Sequence, residues 1–127
     1  DRIDLWVTVS NVDYRKLGDE VVRNEKTHTI KDRVRQARLL QEKRFENSKR
    51  KIKTNSEMNV KDLGSMVKLT KEVRDLLDNS AERLALSARA YHRVIKIART
   101  IADLENSPEV EANHILEALQ YRPKVNS

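Results

Sequence analysis

The sequence predicts a mainly α protein: a small bundle of about four to five helices with one β-strand in front of it. Three observations carry that expectation. Of the 127 residues, 36% are charged and only 4% aromatic, and Gly and Pro number two each, so helix formers abound and breakers are few. Apolar residues recur at helical spacing in several separate segments. They recur at strand spacing in one. A chain of this size can bury one modest core.

The strand comes first. Ile3, Leu5, Val7 and Val9 share one face of an extended segment, and Asp4, Trp6 and Thr8 share the other. No second strand pattern follows, and a lone strand leaves its backbone groups unpaired. The first residue is Asp rather than Met. The chain is therefore expected to be part of a longer polypeptide that supplies the strand's partners. Residues 10–26 have no clear period and read as a linker.

Helices follow. Thr29 is a candidate N-cap with Asp32 three residues on, a weak relative of the capping box. The helix is expected to reach about Phe45, with Ile30, Val34, Ala37 and Phe45 on one face and Lys31, Arg35 and Arg38 on another. Residues 48–57 are basic, lack apolar periodicity and read as a loop. Asn59 is placed to cap a short helix, with Asp62 at its third position and Val60, Leu63, Met66 and Val67 as its buried side. Thr70 is placed to cap the next helix, where Val73, Leu76, Leu77 and Leu84 recur. Ser87 caps the clearest helix, from Ala88 to about Leu104. Its stripe is Tyr91, Val94, Ile95, Ala98, Ile101 and Ala102, with Arg89, Arg93 and Lys96 opposite. Pro108 stands in or just before the start of the last helix, which Ala112, Ile115, Leu116 and Leu119 mark. That helix stops before Pro123, because the residue preceding proline resists the α conformation. The organisation read from this is residues 1–26 as strand and linker, 27–122 as the helical domain and 123–127 as a tail.

Composition also excludes functions. With no cysteine there are no disulfides or thiolate metal sites, which fits a reducing, cytoplasmic setting. No apolar run approaches a membrane span, so no membrane contact is expected. His28, His92 and His114 lack metal-ligand spacing, and no nucleophile–base–acid set stands out, so neither a metal site nor a hydrolytic triad is expected. The net charge of +6 is concentrated. Residues 23–53 hold 12 Lys or Arg against 4 Asp or Glu. Lys31, Arg35 and Arg38, with Lys49, Arg50, Lys51 and Lys53, are candidate contacts for DNA or a neighbouring subunit. The plainer reading is a solvated helix face with Glu42 pairing Arg38, since no aromatic residues alternate with these charges.

Residues 86–105, L-S-A-R-A-Y-H-R-V-I-K-I-A-R-T-I-A-D-L-E, and A-L-Q-Y-R at 118–122 closely resemble the C-terminal domain of magnesium-chelatase-like AAA+ ATPases of the ComM/YifB type. The opening D-R-I-D-L resembles the end of the ATPase core in that group, P-L-L-D-R-I-D-L, and is similar to the S-R-F-D element of MCM helicases. N-S-E-M at 55–58 looks like the family's connecting segment. The resemblance covers nearly the whole chain, and residues 86–105 are its specific part.

The resemblance implies an α-helical lid behind an α/β ATPase core, with strand 3–9 the last strand of that core. In the family, ATP lies between core and lid and between subunits of a ring, usually a hexamer. By motif, Arg2 takes the arginine-finger position, acting on the neighbouring subunit's nucleotide, and Arg89 the sensor-2 position. Arg93, one turn on, is a further candidate for phosphate contact. A planar guanidinium suits the charge that phosphoryl transfer spreads over oxygens. The chain lacks G-x-x-x-x-G-K-[ST] and an acidic Walker-B strand. ATP and Mg2+ are therefore expected in the full-length protein and not on this stretch alone, which is expected to be monomeric and without ATPase activity. For ComM-type relatives the resemblance implies branched or single-stranded DNA as substrate, and for chelatase relatives a metal-inserting partner. The alternative is a stand-alone basic helical module that binds nucleic acid, or an adaptor.

Overall fold

The computed structural model describes residues 27–121 and the single position Leu5. Arg2, the expected strand 3–9 apart from Leu5, the linker 10–26 and the tail 123–127 lie outside the described residues. Within them are five helices: α1 (Thr27–Phe45), α2 (Val60–Met66), α3 (Lys71–Arg83), α4 (Ala88–Leu104) and α5 (Ala112–Gln120). A single 3-10 turn, Asn55–Glu57, lies between α1 and α2. There is no strand among the described residues, and no helix of theirs is long and apolar enough to cross a membrane.

Three of the predicted caps form. Asn59 Oδ1 accepts from the Asp62 N–H at 2.8 Å, and the Asp62 carboxylate accepts from the Asn59 N–H at 3.0 Å, a complete capping box. Thr70 Oγ1 accepts from the Val73 N–H and Ser87 Oγ from the Ala90 N–H. The ends of α3 and α4 were not foreseeable from glycine, because neither uses one. At α3 the Leu86 N–H donates to the Ala81 carbonyl and the Ala85 N–H to Glu82. At α4 the Ser107 N–H donates to Ala102 and the Asn106 N–H to Asp103. Both are Schellman closures, and they put Ala85 at φ 53° and Asn106 at φ 58°. Leu84 is consequently the C-cap of α3, not a member of its helical stripe.

The hub is α4. It packs on α5, α1, α2 and the 3-10 turn, while α3 packs on α5. Val94, Ile95, Ala98 and Ala102 of the predicted stripe are buried, with Leu77, Ile115, Ala118 and Leu119 around them. Several expected core positions are outside instead. Ile30 is 46% exposed, because burial on α1 begins only at Ala37 and continues at Gln41 and Phe45. Val60 stands at the first position of α2 and is exposed. Leu116 lies about 100° around α5 from Ile115 and misses the packed side. Conversely, the basic 48–57 segment carries buried Ile52 and Asn55, so it is pinned to the bundle rather than being a free loop.

Candidate functional site

At its start α4 presents a cation to solvent. Ser87 satisfies one of the first N–H groups, no acidic residue occupies the first turn, and Arg89 in that turn is exposed. Arg93, one turn further, is partly buried. Tyr91 between them is half-buried and structural: its hydroxyl donates to Asp78 at 2.7 Å and ties α4 to α3, while its ring meets His92 edge-on. Burial, the bond to Asp78 and that carboxylate's charge all push the phenol above its ordinary value, and the Arg74 charge opposes them.

The second basic group folds back onto the last turns of α1, where the Asn55 N–H donates to Gln41 and Arg44 donates to Asn55. Lys31 lies about 20 Å along the α1 axis from Phe45, after which the second group begins. Arg35 pairs with Asp32 at 2.8 Å, and Arg50 pairs with Asp62, the capping residue of α2. The expected partnership of Arg38 with Glu42 is absent among the described residues. Lys31, Arg38, Lys49, Lys51 and Lys53 are exposed.

A cluster that the sequence reading passed over sits at the other end of α4. Asp103 is 1% exposed and receives both terminal nitrogens of Arg44, at 2.9 and 2.6 Å. Arg99 donates to the same carboxylate through Nε at 3.2 Å. Arg99 also reaches the carbonyls of Ser107 at 2.7 Å and Pro108 at 3.1 Å, holding the turn after α4. Asn55, 1% exposed, donates through Nδ2 to Asp103 and Thr100, accepts from Arg44 and donates its backbone N–H to Gln41. Burial pushes Arg99 below its ordinary value; the Asp103 charge opposes this and the Arg44 charge adds to it. One signal was legible: Arg99 and Asp103, four apart, share the side of α4 that Ile95 buries. Arg44 and Asn55 carry none, because they meet Asp103 across 59 and 48 residues of chain. An open cavity of about 380 Å³ adjoins the cluster, lined among others by Leu40, Lys43, Arg44, Arg99 and Pro108. No group of three or more His, Asp or Glu among the described residues is placed to hold a metal ion.

The family model for the C-terminal domain of the magnesium chelatase subunit ChlI matches residues 24–122, which span all five helices. The chain belongs to the magnesium-chelatase C-terminal family. It is 33% identical over 125 residues to the competence protein ComM of Haemophilus influenzae, covering 98% of this chain and 23% of that protein. It is 35% identical over 122 residues to YifB of Escherichia coli, covering 96% of this chain and again 23% of the relative. The chain thus spans less than a quarter of the length of these curated relatives. Arg89, Arg93 and the Arg44–Asp103–Arg99 cluster all lie inside the matched magnesium-chelatase C-terminal stretch, whereas Arg2 precedes it.

Proposed function

We propose that this domain is the nucleotide-sensing lid of a longer AAA+ ATPase, contacting the terminal phosphate of ATP through Arg89. The observation that carries this reading is the exposed guanidinium in the first turn of a Ser87-capped helix without an acidic neighbour in that turn. Such a helix start offers free backbone N–H groups, a partial positive charge and a fixed cation, a combination that suits an anion. Arg93, partly buried one turn further on, is a second candidate for the same phosphate. The described residues fit phosphate and not Mg2+, since they hold no cluster of carboxylates to take the ion. In this reading the phosphate cradle and the Mg2+ ligands come from the longer protein.

Arg89 would hold the lid against the core while ATP is intact and release it when the charge at that position changes, so that nucleotide state biases lid angle. Arg2 would act in trans, from one subunit of a ring onto its neighbour's nucleotide. The relative from Haemophilus is a competence protein, and we extend the reading to DNA remodelling by the assembled ring. Lys31, Arg38, Lys49, Lys51 and Lys53 are the exposed cations available to DNA.

The test uses the full-length protein. Arg89→Ala should lower ATP turnover by at least about tenfold while size-exclusion shows assembly intact, and Arg89→Lys should recover only part of it. Unchanged turnover in Arg89→Ala sinks the sensing role. DNA contact is tested separately by affinity against salt: each phosphate neutralised adds a log–log slope of about −0.9 on duplex, so a flat dependence removes it.

A further inference from the structure

The cavity beside the buried cluster has the chemistry of a receptor for a carboxylate. Arg44 is largely buried, its side chain 16% exposed, and three of its five N–H donors are engaged. Both Nη1 hydrogens go to Asn55 and Asp103, and one Nη2 hydrogen completes the fork on Asp103. A guanidinium arranged this way keeps its Nε–H and its second Nη2 hydrogen. Those two are parallel and form the side-on fork that binds a second oxyanion in bidentate fashion. No described residue accepts a hydrogen bond from that edge of Arg44. The cavity is lined by Arg44 and by Lys43.

The charge balance points the same way. Two mostly buried guanidiniums, Arg44 and Arg99, share the single carboxylate of Asp103, leaving one positive charge without a side-chain counterion where water screens it poorly. The Asp103 carboxylate and the carbonyls of Ser107 and Pro108, which also line the cavity, would repel an anion, but the carboxylate already accepts from Arg44 and Arg99 and each carbonyl from Arg99. Leu40 and Pro108 add apolar wall. One singly charged carboxylate on a short aliphatic stem answers all of these features. A nucleic-acid backbone suits them less, because it brings a row of charges to exposed cations, and this cation stands inside a concave site.

From this geometry we infer that the cavity is a docking site for an acidic protein segment, which inserts one Glu side chain onto the Nε–Nη2 edge of Arg44 with Lys43 steering at the rim. This surface lies at the opposite end of α4 from Arg89, and the inference does not rest on the lid reading.

The test is a titration of the 127-residue chain followed by 15N NMR, including the arginine Nε–Hε signals. The probes are the capped peptide acetyl-Leu-Glu-Leu-amide, its Gln counterpart, inorganic phosphate and a short single-stranded oligonucleotide. The Glu peptide should move the Arg44 Nε–Hε signal and the amides of Asn106, Ser107 and Glu109, with the Gln peptide silent there. Lys43→Gln, an exposed change that leaves the cluster intact, should weaken the Glu peptide by roughly threefold to fivefold, as a rim ion pair would. Arg44→Lys, which keeps the charge but removes the fork, should weaken it further. The inference fails if Glu and Gln peptides act alike, if Arg44→Lys binds as the wild type does, or if phosphate or the oligonucleotide moves these signals at lower concentration than the Glu peptide.

Discussion

Replacing Asp103 with Asn is the sharpest probe of what holds this bundle together. The substitution keeps side-chain shape and removes one charge. It leaves the guanidiniums of Arg44 and Arg99, whose side chains are 16% and 8% exposed, facing each other without an anion between them. Adding up each charge-assisted bond to Asp103 at ~1.5–3 kcal/mol would overshoot, because these bonds share one carboxylate and folding only exchanges them for water. The bounded figure is the penalty for breaking a buried ion pair by removing one partner, about 3–5 kcal/mol. A domain of this size has a stability of roughly 5–15 kcal/mol in all, so the loss is a large fraction. It should appear in far-UV circular dichroism as a urea midpoint lowered by at least about 1 M and a Tm lowered by at least about 12 °C. Asp32→Asn is the control. Its ion pair with Arg35 has the same kind of partners at 2.8 Å but is exposed, and should be worth about 0.5 kcal/mol or less. A triple replacement, Arg44→Met with Arg99→Met and Asp103→Leu, should recover part of the loss, since it removes the unpaired charges together but leaves Asn55 and the Ser107 and Pro108 carbonyls short of partners. If Asp103→Asn costs no more than Asp32→Asn, the reasoning about burial is wrong.

Three further outcomes are expected. Ser87→Ala should destabilise the domain by about 1 kcal/mol through loss of the α4 cap, read by thermal melting, and a neutral result would mean that the Ala90 bond contributes nothing. Ala85→Gly should stabilise by about 0.5–1 kcal/mol, because Ala85 sits at φ 53° in the region that an alanine side chain disfavours; a loss on urea melting would contradict the Schellman account. Tyr91 has its folded-state pKa raised, so its contribution is fully present below about pH 10 and declines as pH rises through the folded value. Tyr91→Phe should therefore flatten the alkaline end of the stability–pH curve, and an unchanged slope would show that another group titrates there.

Much of this was readable along the chain because it is local. Asn59, Thr70 and Ser87 cap helices by bonds to residues three positions away, so type and spacing suffice to place them. The stripe on α4 is local too, and it runs as expected from Tyr91 to Ala102. Arg89 could be put in the first turn of α4 for the same reason, and the exposure that its proposed role needs follows from lying off that stripe. What lies over each stripe is not local. Ile30 and Leu116 fit their periods, yet no neighbouring helix covers them, while Ile52 fits no period and is buried.

Sequence by itself thus settled the family and the helical class and placed the starts of α2, α3 and α4, whose caps bond within one turn of chain, whereas Thr29 lies inside α1 and α5 starts at Ala112, after Pro108. Only the tertiary structure decided that Arg44, Asn55 and Asp103 converge, that they share too little negative charge, and that a cavity opens beside them. The physical reason is that burial and counterion balance are properties of segments meeting across some fifty residues of chain, and no spacing rule spans that distance.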